Sequence, residues 1–165
     1  MFTETRKATA NQPFLFIQVD TRKSIEEKRG RFTSLSMTMP KKILVIEDDE
    51  VARELMRTVL ERNGYEVSVA ENGVEGYDTA VFLRPDLIVT DIRMPGADGI
   101  HVVRRVRDTP SLERIPILVT TAFGDGNATF SLQQGATAYE PKPLDPQSFL
   151  ATINRLLGRQ TLRAA

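Results

Sequence analysis

From Lys41 onward, short apolar runs alternate with helical patterns, and this alternation limits the fold more than any other feature of the sequence. Strand patterns lie at residues 43–46, 65–70, 87–90, 115–121 and 136–140. Apolar residues at helical spacing follow each of them; the first helix ends at Asn63-Gly64, and the last runs from Pro146 to Leu157. Parallel strands need such crossover helices. The order therefore predicts an α/β fold, a doubly wound (βα)5 sheet of five parallel strands with helices on both faces.

Acidic residues follow the first and third strand patterns. Glu47, Asp48 and Asp49 come directly after the first strand, and Asp91 closes the third. In a doubly wound sheet the carboxyl ends of the strands form one edge, and sites lie there beside a reversal in strand order. If the two strands are neighbours, about 4.8 Å apart, Asp48 and Asp91 can reach one ion. The alternative is that Asp48 or Asp49 only caps the following helix.

Two further residues at the same edge are suited to phosphate chemistry. Thr121 ends the fourth strand and offers a hydroxyl, while Lys142 follows the fifth strand between Pro141 and Pro143 and offers an ammonium. Alone, Thr121 is a β-prone residue and Lys142 an ordinary surface lysine, but their placement with the acids favours one joint site. Oxygen ligands without cysteine favour Mg²⁺ or Mn²⁺, and magnesium leaves room for phosphate oxygens.

The composition argues against several classes of protein. A formal net charge of zero disfavours a general nucleic-acid or membrane-surface binder. The absence of cysteine excludes disulfides and thiolate metal sites, and the lack of a G-x-x-x-x-G-K-[ST] motif disfavours nucleotide hydrolysis. With no apolar run of ~20 residues and no secretory pattern, we expect a cytoplasmic protein. The single histidine, His101, is expected to be an ordinary helix residue.

The first 39 residues differ from the rest of the chain. They hold seven Lys/Arg and four Asp/Glu, and their only convincing apolar run is Pro13–Val19. We expect residues 1–39 to be a loosely ordered extension; the alternative is that the run adds an edge strand or packs on a partner. A further hypothesis is that this extension is dispensable and that translation begins at Met37 or Met39. Residues 40–158 form the predicted domain, and 159–165 a short tail.

Four motifs in this order resemble those of a response-regulator receiver domain, of the CheY-like and flavodoxin-like fold. They lie at residues 43–49, 90–96, 121–122 and 139–143. The resemblance covers roughly residues 41–158 and implies a stand-alone response regulator of a two-component system. Such a phosphoprotein accepts a phosphoryl group from a histidine kinase or a histidine phosphotransfer protein in a Mg²⁺-dependent step of a phosphorelay. It is not an enzyme beyond catalysing its own aspartyl phosphorylation and slow autodephosphorylation.

The resemblance also implies a metal site and a phosphoryl acceptor. Asp91 corresponds to the phosphorylated aspartate and is a metal ligand. Asp48 corresponds to a direct Mg²⁺ ligand, Glu47 to an acid that acts through water, and Arg93 to the residue that contributes its backbone carbonyl. Under this assignment Asp49 is left as the residue that starts the first helix.

The remaining implied roles concern the phosphoryl group and the signal. Thr121 corresponds to the hydroxyl that contacts the phosphoryl group, Lys142 to the lysine that pairs with it, and Tyr139 to the aromatic switch residue. The Lys142–Pro143 bond is expected to be cis. Arg93 and Phe123 should flank the path of the attacking water; because neither is a carboxylate or an amide, we predict a long phosphoryl lifetime.

The expected partners are proteins. The downstream target is expected to bind the face of the fourth helix, fifth strand and fifth helix, and a homodimer through the surface around Tyr139 remains open. Because the chain ends soon after the fifth helix, we expect no direct nucleic-acid contact. Because no apolar run is long enough, we expect no membrane insertion. The competing interpretations are a phosphate-independent docking module and an aspartyl-nucleophile phosphohydrolase. The latter needs a second acid two residues after its nucleophile, where Arg93 stands here.

Overall fold

The structure, a computed structural model, describes residues 39–94, 99–122 and 127–159. Its five strands are all parallel and form one sheet in the order β2-β1-β3-β4-β5. The strands are β1 Lys42–Ile46, β2 Glu66–Ala70, β3 Leu87–Asp91, β4 Ile117–Ala122 and β5 Ala138–Lys142. The predicted doubly wound sheet is therefore confirmed. The expectations for residues 1–38 and for the tail from residue 160 lie outside the described residues.

Each strand is followed by a helix. The helices are α1 Glu50–Arg62, α2 Gly73–Leu83, α3 Gly99–Asp108, α4 Asn127–Gln133 and α5 Pro146–Leu156. In the part of the chain that the structure describes, every helix is too short or too polar to cross a membrane.

The apolar core forms two layers, one on each face of the sheet. Leu44 and Ile46 of β1 belong to the layer under α2 and α3, whereas the alternate residues Ile43 and Val45 belong to the layer under α1 and α5. This division follows from the period of two along a strand, which sends successive side chains to opposite faces. The helical members of the two layers include Ala80, Val102, Val103 and Val106 on one face and Met56, Leu60, Phe149 and Ile153 on the other.

The strand register brings the carboxyl ends of β1, β3, β4 and β5 to the same edge. Ile46 pairs with Thr90, and Asp91 with Thr120. The last pair of β4 and β5 joins Ala122 and Lys142. The first residues after β1 and the last residues of β3, β4 and β5 therefore lie at one edge of the sheet, where the sequence predicts the site.

The largest differences from the predicted strand boundaries lie in β4 and β5; in β1, β2 and β3 the ends differ by at most one residue. β5 begins at Ala138 and includes Lys142, because residues 134–136 are used to end α4: the N–H of Ala136 donates to the carbonyl of Ser131. The prediction that Lys142 follows the fifth strand is therefore wrong; it is the last residue of that strand. β4 begins at Ile117 rather than residue 115, since the N–H of Ile115 is engaged by the Leu112 carbonyl in the turn after α3.

Candidate functional site

Three acids from the ends of β1 and β3 converge at the edge of the sheet. One carboxylate oxygen each from Glu47, Asp48 and Asp91 can be chosen so that all three lie within 4.8 Å of one another. Glu47 and Asp91 are buried, and Asp48 is exposed. This convergence follows from the pairing of β1 with β3, two neighbouring strands that the sequence predicted to be followed or closed by an acid. The three oxygens form a ligand set suited to a hard divalent cation.

Lys142 reaches the same acids from the end of β5. Its Nζ lies 2.8 Å from Glu47 Oε2 and 3.0 Å from Asp91 Oδ2. A second contact of 3.1 Å joins Nζ to Glu47 Oε1. One ammonium group thus donates to two carboxylates that belong to different strands.

The charges at this site are out of balance. Burial raises the pKa of Glu47 above its ordinary value; the hydrogen bond from Lys142 opposes the rise, and the charge of Asp91 adds to it. Burial alone would lower the pKa of Lys142, but its hydrogen bonds to Glu47 and Asp91 outweigh burial and raise it. Three carboxylates share one ammonium at this edge, which leaves a shortage of positive charge among these side chains. A bound cation would relieve this shortage, so the residues fit a metal site.

Thr121 lies on β4, one residue after the strand partner of Asp91, and its hydroxyl makes a weak contact. Its side chain is buried near the end of β4, where the preceding residue, Thr120, pairs with Asp91. Its Oγ1 is 3.5 Å from the carbonyl oxygen of Ala122, at the limit of a hydrogen bond. The hydroxyl is thus held only loosely in this structure.

Tyr139 and its neighbour Glu140 lie on β5, at the edge of the sheet, and point to opposite faces. Tyr139 is 48% exposed, so its ring faces solvent. Glu140 is buried and accepts hydrogen bonds from Ser148 and Thr152 of α5. Sequence reasoning missed Glu140. The available signal was the spacing of Ser148 and Thr152, four residues apart on one helix face. That spacing lets both hydroxyls contact one carboxylate.

The two residues expected to tune the lifetime are described to different extents. Arg93 is exposed two residues after Asp91, whereas Phe123 lies outside the described residues. The loop 95–98 is also outside them, but Gly99, the first residue of α3, donates its N–H to the Ile92 carbonyl at 3.0 Å. His101 is exposed on α3, as expected of an ordinary helix residue.

Two local expectations about the site are confirmed. Asp49 caps α1, since its side chain accepts a hydrogen bond of 2.7 Å from the N–H of Ala52. The Lys142–Pro143 peptide bond is cis. Asp49 is therefore engaged by the helix, and Asp48 is the exposed acid that remains for the metal.

Sequence reasoning also missed the contacts of Arg53. This α1 residue donates from one guanidinium nitrogen to the backbone carbonyls of Glu47 and Asp48. No sequence signal pointed to these contacts, because backbone carbonyls are present at every position.

Comparisons with known sequences agree with the geometry. Residues 43–154 match the sequence model of the response regulator receiver domain. The polar-differentiation response regulator DivK of Brucella anthropi is 38% identical over 121 residues, a match that covers 73% of this chain and 98% of DivK. The response regulator MprA of Mycobacterium sp. (strain KMS) is 42% identical over 122 residues, covering 73% of this chain but 52% of MprA. The matched region is thus about half the length of MprA.

A solved structure extends the similarity to the arrangement of the chain. The receiver domain of the sensor histidine kinase PA1611 from Pseudomonas aeruginosa has a TM-score of 0.68 at 29% identity, over 72% of this chain and 98% of that domain. That receiver domain holds a magnesium ion coordinated in its active site cleft.

Proposed function

We propose a phosphoryl-acceptor function, because this chain belongs to the response regulator receiver domain family and brings three acids and a lysine together at one edge of its sheet. In this proposal Asp91 receives a phosphoryl group from a phosphohistidine on a histidine kinase or a histidine phosphotransfer protein. One observation carries the proposal. The carboxylates of Glu47, Asp48 and Asp91 converge within 4.8 Å, and the Lys142 ammonium lies 3.0 Å from Asp91.

The acids would hold a divalent cation, Mg²⁺ or Mn²⁺. Asp48 and Asp91 would supply direct carboxylate ligands, Glu47 would act through water, and the backbone carbonyl of Arg93 would complete the protein ligands. When bound, the cation supplies positive charge that offsets the negative phosphoryl oxygens. The donor set supports this assignment, since three carboxylate oxygens within 4.8 Å of one another share a single ammonium group.

The remaining chemistry belongs to the side chains. A carboxylate oxygen of Asp91 attacks phosphorus in line with the bond to the histidine nitrogen; that P–N bond breaks, and the imidazole leaves. Such a transfer needs placement and charge compensation rather than covalent help. Lys142, already 3.0 Å from Asp91, pairs with a phosphoryl oxygen. Thr121 donates its loosely held hydroxyl to another phosphoryl oxygen.

Hydrolysis by water then returns Asp91 to the carboxylate. The chain catalyses only its own phosphorylation and this slow dephosphorylation. Because Arg93 and Phe123 offer no carboxylate or amide to orient the water, the phosphoryl group should be long-lived.

The signal would leave through the surface formed by α4, β5 and α5. Phosphorylation draws Thr121 inward, and Tyr139, now 48% exposed, moves into the vacated space. A downstream protein, or a second copy of the chain, reads the altered surface, and no nucleic acid or membrane takes part. The cytoplasmic location expected from the sequence remains part of this proposal.

The test is phosphoryl transfer from a labelled phosphohistidine donor. We expect one phosphoryl group per wild-type chain in the presence of Mg²⁺, and none on the Asp91→Asn variant, which keeps the size of the side chain but removes the nucleophile. Continuous turnover of small phosphate esters would instead favour the phosphohydrolase. Equal labelling of both proteins would refute the proposal.

A further inference from the structure

A buried arginine contacts the backbone of the proposed metal site. Arg53, in the first half of α1, is only 8% exposed. Its NH1 donates to the backbone carbonyl of Glu47 at 2.8 Å and to that of Asp48 at 3.3 Å. Its NH2 lies 3.0 Å from Glu71 Oε1, after β2. The guanidinium thus contacts the backbone of both acids at the end of β1, while the hydrogen bonds from Lys142 go to the Glu47 side chain.

The reach of Arg53 follows from helix geometry. Side chains on a helix lean toward its N-terminus, so a residue in the second turn of α1 lies over the segment that precedes the helix. The same segment also joins α1 at Asp49. Its side chain caps the helix, and its carbonyl accepts a hydrogen bond of 2.9 Å from the N–H of Arg53. Residues 47–49 therefore contact α1 in two ways: Glu47 and Asp48 through the Arg53 side chain, and Asp49 through the helix cap.

The contact with Glu71 is the weaker part of this arrangement. The Glu71 side chain is 69% exposed, and exposed ion pairs contribute little to stability. The two guanidinium nitrogens face different partners: NH2 faces Glu71, and NH1 faces the two carbonyls. A flat, forked donor can do this, whereas a lysine ammonium is a point donor on a flexible stem.

We infer that Arg53 is a positioning residue for the divalent cation. By holding the carbonyls of Glu47 and Asp48, it fixes the direction in which their carboxylates leave the backbone, so that both face Asp91. This inference rests on the proposed function, since it presumes that the three acids bind a cation.

The direction in which metal affinity changes when Arg53 is replaced distinguishes a positioning role from a purely electrostatic one. A positive charge near a cation site repels the incoming ion. If Arg53 acted through its charge alone, its removal would tighten metal binding. If it acts by positioning, its removal weakens metal binding, and so does a lysine that keeps the charge but loses the fork.

The experiment is a titration with Mn²⁺ alone, in which electron paramagnetic resonance counts the free ion. The variants are Arg53→Lys and Arg53→Ala. The control is Arg57→Ala, one turn further along α1, where a half-buried arginine pairs with Glu54 and Glu61 of its own helix. Because removal of groups that orient metal ligands costs about tenfold or more in affinity, we expect a loss of about tenfold for both Arg53 variants. The control should match the wild type.

Each outcome decides the matter. Wild-type affinity in Arg53→Lys, or tighter binding by Arg53→Ala, would overturn the inference while leaving the proposed function intact. A wild-type protein that binds no Mn²⁺ would remove the metal from the proposed function and the positioning role with it. Thermal unfolding followed by circular dichroism shows that each variant is folded. A purely structural role for Arg53 lowers the melting temperature without changing Mn²⁺ affinity, and that result would also count against the inference.

Discussion

A methyl group added at Gly99 should disturb the phosphoryl acceptor directly. A Cβ built on this glycine overlaps the carbonyl oxygen of Asp91 and lies 2.9 Å from its carbonyl carbon and 3.1 Å from Ile92 Cα. Ordinary contact begins at 3.4 Å. These neighbours are backbone atoms rather than flexible side-chain ends, so the start of α3 or the end of β3 has to move by roughly 0.5 Å or more.

The destabilisation caused by the clash can be compared with the stability that alanine gains over glycine in a helix. Overpacking of this kind costs roughly 1–3 kcal/mol, while alanine is better than glycine inside a helix by up to about 1 kcal/mol. Gly99 is the first residue of α3, where that gain is smallest. The clash therefore dominates, and we expect Gly99→Ala to lower the free energy of unfolding by about 2 kcal/mol. Because the shift includes the backbone of Asp91, phosphorylation should slow by about tenfold or more.

The matched control is Gly64→Ala, at the end of α1. Gly64 has a φ of +78° and no atom within 4 Å of an added Cβ. Alanine there costs about 1–2 kcal/mol of backbone strain but touches nothing near the site. Urea unfolding measures the stability of both variants, and acetyl phosphate with Mg²⁺ measures the rate at which each is phosphorylated.

The two variants should lose comparable stability, and only Gly99→Ala should lose phosphorylation rate. Wild-type stability together with a wild-type rate in Gly99→Ala would show that this approach of α3 to Asp91 does not matter. An equal loss of rate in Gly64→Ala would mean that the rate follows stability rather than geometry.

Three further predictions concern the core, a surface contact and the lifetime. Phe149, 1% exposed, fills the layer under α1 and α5; Phe149→Ala should cost about 3–5 kcal/mol in urea unfolding, and a loss below 1 kcal/mol would contradict the described packing. Burial tends to raise the pKa of Asp86, but hydrogen bonds from Lys41 and a backbone N–H outweigh it and lower that pKa. Asp86→Ala should therefore cost about 1 kcal/mol at neutral pH, a difference that must shrink as pH falls below 3.8 through the folded pKa. The Arg93→Asn, Phe123→Glu double variant should lose its phosphoryl group faster than the wild type, and an unchanged rate defeats the prediction of a long lifetime.

The sequence was sufficient for the sheet and for most of the site because the determining signals are local. Ile43–Ile46 and Leu87–Thr90 are unbroken β-prone runs, and each is followed by an acid, so pairing of the two strands brings the acids together. Lys142 could be predicted to reach the site because the fifth strand has to end at the same edge.

Sequence reasoning missed two sets of contacts and one strand boundary, each for a different reason. Arg53 donates to backbone carbonyls, and a backbone carbonyl is the same at every position. The start of β5 was placed two residues early because apolar Ala136 fits a strand as well as the turn that ends α4. Glu140 was missed because its partners lie on a helix that packs against the strand only after folding.

The most direct measurement is to locate the phosphoryl group itself. The wild-type chain is exposed to acetyl phosphate and Mg²⁺, digested at low temperature, and mapped by mass spectrometry. The expected result is a single modified peptide with the phosphoryl group on the carboxylate of Asp91, which disappears when Mg²⁺ is chelated beforehand. A phosphoryl group on any other residue, or a modified Asp91 peptide formed at the same rate without the cation, would contradict the proposed function.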